Sequence, residues 1–174
     1  TKIINNDDIF LCDSGGQYKY GTTDVTRTIC FSKQSSKIKK IFTYVLKGHI
    51  AVVNTNLNKI NVGKKIDVQA RKFLKKYGLD YGHGTGHGVG YFLNVHEGPQ
   101  AISKFNTVKI KEGMILSNEP GYYKKNFFGI RIENLVYVKK EKGKLFFKNL
   151  TLAPIDNSLI NYKILTNQER DYMF

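Results

Sequence analysis

Apolar and polar positions follow two different rhythms along the chain. Over residues 8–31 the run IFLCD ends in an acid, SGGQYKYG supplies turn residues, and TTDVTRTICF alternates, which predicts two strands around a turn. From 36 to 56 the period lengthens: Ile38, Ile41, Phe42, Val45 and Leu46 recur at helical spacing, predicting a helix. KKIDVQARKFLKKYG predicts a second, with Ile66, Ala70, Phe73, Leu74 and Tyr77 on one face and Gly78 as C-terminal cap. A glycine-studded stretch follows, YGHGTGHGVGYFLNVHEGP. Beyond it MILSNEP, GYYKKNF and FGIRIENLVYV read as strand, turn and strand, and LFFKNLTLAPI adds one or two more strands.

The two strand pairs resemble each other. In the first, an apolar run ends at Asp13, and a β-rich strand carries Asp24 shortly after Gly21. In the second, an apolar run ends at Glu119, and a β-rich strand carries Glu133 shortly after Gly129. This weak internal repeat sets four carboxylates where two related hairpins face each other. It suggests an α+β architecture, an antiparallel sheet with helices on one face and the acids on the other. No linker or low-complexity segment divides the chain, which reads as one domain cut at both ends.

Composition changes the picture only modestly. With 41% hydrophobic residues and 11 Phe plus 11 Tyr, the 174-residue chain has the makings of a full core. No run reaches the roughly 20 apolar residues of a membrane span. The net charge of +14 is spread over Lys doublets along the chain, without an aromatic-interleaved basic block, which argues for solvated faces over a nucleic-acid groove. Cys12 and Cys30 lack CxxC spacing, so a reducing, cytoplasmic setting is expected. Cys12, on an apolar run beside Asp13, reads as a buried thiol.

Side-chain alternation sharpens the chemistry. Arg131, Glu133 and Leu135 share one strand face, and Asp24 shares its face with Thr26 and Thr28 while Val25 and Ile29 point away. An acid projecting from such a strand is costly unless paired or bound to a cation, and four gathered acids call for divalent metal. His83 and His87 have the i, i+4 spacing of helical ligands, but the interleaved glycines disfavour a helix. In an extended chain 83, 85 and 87 fall on one face, which brings both histidines to one site. The glycines do not form a dinucleotide loop. An imidazole with carboxylates and no thiolate is a hard, oxygen-rich donor set, suited to Mn²⁺. Two ions bridged by carboxylates activate water and polarise a carbonyl, which is metal-assisted hydrolysis.

DSGGQYKYGTTDVTRT, YVLKGHIAV, LDYGHGTGHGVGYFLNVHEGP, NEPGYY and GIRIEN closely resemble the cytosolic X-prolyl aminopeptidases (aminopeptidase P), metallopeptidases of the pita-bread fold. The resemblance spans nearly the whole chain, in order. It implies a curved antiparallel sheet with covering helices, incomplete at its N-terminal side, with residues 1–150 as catalytic domain and 151–174 as the start of a C-terminal segment. It also implies two divalent ions. Asp13 would bind one through both oxygens, Asp24 and Glu133 would bridge the pair, and His87 and Glu119 would complete the other. Glu119 would double as proton acceptor for a hydroxide bridging the ions. His83 and His96 would line the substrate pocket, with His96 near the scissile carbonyl, and Arg131 would anchor the site beside Glu133. The implied substrates are peptides with proline in second position, and the implied partner of the full-length parent is a second copy, as a homodimer. An Xaa-Pro dipeptidase of the same fold and a non-catalytic pita-bread binding module are the alternatives.

Overall fold

A computed structural model describes residues 3–173. Strands β1 (Ile9–Tyr18) and β2 (Gly21–Cys30) form an antiparallel hairpin with Asp13 opposite Thr26 and Gly15 opposite Asp24. The turn is shorter than SGGQYKYG suggests, because the ladder runs on to Tyr18 opposite Gly21. Polar cross-strand bonds carry it there: the Gly16 N–H donates to Thr23 Oγ1 (2.9 Å) and Thr22 Oγ1 to Gln17 Oε1 (2.9 Å). Cys12 is exposed rather than buried. It pairs with Arg27 on the hairpin face opposite Asp13, so an apolar run in a two-stranded edge does not guarantee a covered thiol.

Helix α1 (Ser36–Val53) begins at Ser35, whose hydroxyl accepts the Ile38 N–H (3.3 Å). Ile38, Ile41, Phe42, Val45 and Leu46 are all buried. Helix α2 (Gly63–Lys75) buries Ile66, Ala70 and Leu74. Gly78 ends its path at φ +69°, and the Leu79 N–H returns to the Leu74 carbonyl (3.1 Å). Tyr77 lies beyond the helix, exposed, its ring stacked on Tyr44 at 4.4 Å.

The second strand pair is broken rather than continuous. After β3 (Gly86–His87) and its partner β4 (Ala101–Ile102) come β5 (Ile115–Asn118), β6 (Gly121–Lys124), β7 (Phe128–Arg131) and β8 (Asn134–Glu141), with β9 (Lys144–Asn149) following. β6 pairs with β7, whereas β5 pairs with β8 in a sheet ordered β5-β8-β9. The expected single strand FGIRIENLVYV therefore parts at Ile132–Glu133, and its partner parts at Glu119–Pro120. Proline donates no ladder bond, and here its carbonyl accepts the Ile132 N–H (3.3 Å). Among the described residues the antiparallel strands pair in four small groups, and a Gly88–Leu116 bridge links the end of β3 to β5.

The alternation across the break sorts inside from outside. Ile130 and Ile132 are fully buried in one core cluster with α1, while the intervening Arg131 and Glu133 turn to Thr26 on β2. Leu159, Ile160 and Leu165, around two 3₁₀ turns (Asn157–Leu159 and Tyr162–Ile164), join that cluster. A short helix α3 (Asn167–Asp171) places Glu169 against Lys47 of α1. A second cluster joins α2, β4, β5, β8 and β9 through Ile66, Ala70, Ile102, Leu116, Val136 and Phe147. No helix among the described residues is long and apolar enough to cross a membrane.

Candidate metal centre

Three of the predicted ligands meet. One donor atom each from Asp24 (β2), His87 (β3) and Glu133 (between β7 and β8) lies within 4.8 Å of the others. His87 Nε2 is 3.4 Å from Asp24 Oδ2 and 3.5 Å from Glu119 Oε1. His87 Nδ1 faces the Gly88 carbonyl at 2.9 Å. A carbonyl only accepts, so Nδ1 carries the proton and Nε2 is turned toward the acids.

Asp13, half exposed, stands at the rim and accepts from Arg131 Nη2. Arg131 ties it to the buried acid: its Nε donates to Thr26 Oγ1 (3.0 Å), which donates to Glu133 Oε2 (2.6 Å). Arg131 Nη1 also donates to Tyr123 Oη (3.1 Å), and that hydroxyl meets His83 Nε2 at 2.8 Å. His83 therefore joins the site through Tyr123. The chain bends at Gly82, His83 and Thr85, so the expected extended alternation across 83–87 does not hold, and Thr85 points to Asp67 instead (2.6 Å). The exposed His96 packs edge-on against the His87 ring, centroids 4.0 Å apart.

Backbone contacts from outside the broken hairpin fix two of the acids. The Glu119 N–H donates to the Thr85 carbonyl (2.8 Å) and the Glu133 N–H to the Thr26 carbonyl (3.1 Å). Ser117 Oγ donates to Glu119 Oε1 (2.9 Å) and accepts the His87 N–H (2.9 Å). Gly86 permits that last contact, because a Cβ there would sit 1.9 Å from the Ser117 carbonyl oxygen.

Ser117 and Tyr123 were not singled out in the sequence. Period-two spacing from Glu119 was the available signal for Ser117. For Tyr123 there was none, since its role depends on how β6 folds against the His83 bend. The position of Thr26 was legible from its shared face with Asp24.

Repulsion within the cluster shows in its protonation. Glu133 is 2% exposed; burial, then the charge of Glu119, push its pKa up to about 7, with Asp24 and Asp13 adding to the rise. For His87 burial acts downward, but the Asp24 hydrogen bond, the Gly88 carbonyl and the charge of Glu119 outweigh it, and the net shift is upward. Both shifts favour proton uptake, which relieves the repulsion among the acids. A divalent cation fits the same donors and supplies positive charge in place of protons.

Residues 1–140 match the model of metallopeptidase family M24. The chain belongs to this family. Its α+β architecture is the pita-bread fold that the resemblance implies. Among M24 relatives, a probable Xaa-Pro aminopeptidase P of Podospora anserina is 50% identical over 99% of this chain, and one of Laccaria bicolor 47% identical over 98%. The chain spans only 27% and 28% of their lengths. The X-prolyl aminopeptidase of Caenorhabditis elegans, described as a cytosolic enzyme with a di-nuclear active site, superposes with TM-score 0.86 at 40% identity, covering 94% of this chain and 28% of that one. A Pyrococcus horikoshii prolidase superposes at 0.78 with 30% identity, covering 88% of this chain and 43% of its own.

Proposed function

We propose that the full-length protein is a cytoplasmic, dinuclear metal-dependent X-prolyl aminopeptidase that releases the N-terminal residue from peptides with proline in second position. The convergence of Asp24, His87 and Glu133, flanked by Glu119 and Asp13, carries the reading. The aminopeptidases among its relatives support the specificity, and the higher identity to the nematode aminopeptidase than to the prolidase favours it over a dipeptidase. The donor set, carboxylates and one imidazole without thiolate, favours Mn²⁺.

Asp13, Asp24, His87, Glu119 and Glu133 would hold two divalent cations, which when bound supply an activated water and polarise the scissile carbonyl. Glu119, its Oε1 fixed by Ser117, takes the proton of the attacking water and delivers it to the departing proline nitrogen. His96, exposed beside His87, donates to the carbonyl oxygen as it gains negative charge. His83 lines the substrate pocket, held by Tyr123. Arg131 keeps Asp13 and, through Thr26, Glu133 in register.

Asp24→Asn and His87→Ala in the full-length protein test the site. Each is expected to abolish metal-dependent cleavage of an Xaa-Pro-Xaa peptide and to lower the metal content below two ions per chain, with the circular-dichroism spectrum retained. Undiminished cleavage by either variant would end this assignment. Comparing Xaa-Pro dipeptides with longer peptides separates the aminopeptidase from the dipeptidase reading.

A further inference from the structure

Helix α2 buries an arginine that touches none of the proposed metal ligands. Arg71 is 2% exposed, and each of its three guanidinium nitrogens donates. Nε donates to Asp67 Oδ2 (2.7 Å), Nη1 to Asp80 Oδ1 (2.7 Å) and to the Tyr81 carbonyl (2.7 Å), and Nη2 to the His83 carbonyl (2.6 Å). The guanidinium also lies 3.9 Å from the Tyr81 ring centroid. The other oxygen of Asp67 accepts from Thr85 Oγ1 (2.6 Å), which is shared with the Tyr81 hydroxyl (2.5 Å). Residues 80, 81, 83 and 85 are thus each fastened to one ion pair on α2.

A buried ion pair contributes little net stability compared with a well-packed apolar pair, so stability is a weak reason for this arrangement. A planar fork with fixed donors does something an apolar pair cannot: it sets several acceptors at defined positions. The segment it sets contains Gly82 and Gly84 and would otherwise hold itself poorly. That segment presents His83 to Tyr123.

We infer that Arg71, braced by Asp67, is a positioning residue that acts through segment 80–85 to hold His83 in the substrate pocket. The inference rests on the proposed function, in which His83 meets substrate.

Arg71→Lys keeps the charge and loses the fork, while Asp80→Asn weakens one partner at the accessible end of the network and carries the test if the lysine variant does not fold. In full-length, metal-loaded protein Arg71→Lys should lower kcat/KM for an Xaa-Pro peptide by roughly 10- to 100-fold, chiefly through KM, and Asp80→Asn by less, both with wild-type metal content. In a His83→Ala background neither should cost more than about twofold further. In metal-stripped protein labelled with ¹⁵N-histidine, both should move the His83 imidazole resonances and leave those of His49 in place. Full persistence of the losses in the His83→Ala background overturns the inference, as does a lowered Tm with unchanged kcat/KM. If His83→Ala alone leaves kcat/KM unchanged, the pocket reading itself has failed and the inference falls with it.

Discussion

The two acid-bearing strand pairs solve the same problem differently. β1 and β2 form an unbroken ladder, and Asp13 and Asp24 ride on it as ordinary alternating side chains. The later pair breaks beside each of its acids: β5 gives way to β6 at Glu119–Pro120, and β7 to β8 at Ile132–Glu133. Each break frees a backbone N–H, and each is taken by another part of the molecule, Thr85 for Glu119 and Thr26 for Glu133. A continuous strand can aim an acid only up or down. A broken one can also fasten it through its backbone to a neighbouring segment, as Glu133 is fastened to Thr26. The intact hairpin supplies a platform, and the broken one supplies the point where the elements are locked together.

Replacing Glu133 by Gln strikes the locked side and should have the largest effect. Metal retention, read by elemental analysis after dialysis, should fall by more than the roughly 10- to 100-fold typical of losing an outer-shell partner. The same acid predicts a pH dependence. Its pKa rises from the ordinary 4.5 to about 7 in the folded chain, so across that interval the folded state holds a proton the unfolded state has released. Metal-stripped protein should therefore be most stable toward the acid end of the window and lose stability as pH rises through it, by up to roughly 3 kcal/mol. Scanning Tm against pH should show this slope, and both Glu133→Gln and metal loading should flatten it.

A smaller effect is expected at the contact between the two pairs. Thr26→Val removes the hydroxyl that donates to Glu133 and accepts from Arg131. Metal affinity measured by competition with a chelator should drop roughly 10- to 100-fold, with little change in secondary structure. The smallest effect belongs to the outer face of the platform. Cys12→Ser should shift stability by no more than about 0.5 kcal/mol in chemical denaturation, and the native Cys12 thiol should react readily with a thiol reagent.

The platform was the more legible half. Alternation in TTDVTRTICF fixed which side chains share a face with Asp24, and helical spacing placed the buried face of α1, because both depend on local periodicity. The breaks were not legible. FGIRIENLVYV is β-prone apart from Gly129, Glu133 and Asn134, and its parting depends on Pro120 and on partners far along the chain. Cys12 is exposed for a related reason: an apolar run says nothing about whether a second layer covers it. The His83 bend likewise depends on Arg71 and Asp67, more than ten residues upstream, rather than on HGTGHGVG alone. The proposed ligands could thus be singled out by residue type and spacing, whereas the bonds that aim them could not.

Gly86 bears on how this site can be mapped by mutation. Even a single methyl group there would collide with the Ser117 carbonyl and push β3 away from β5, carrying His87 with it. An alanine scan scored on metal content would rank Gly86 alongside His87, although glycine offers no donor atom. Loss-of-function maps of this protein will therefore trace the clearances between strands as well as the proposed ligands.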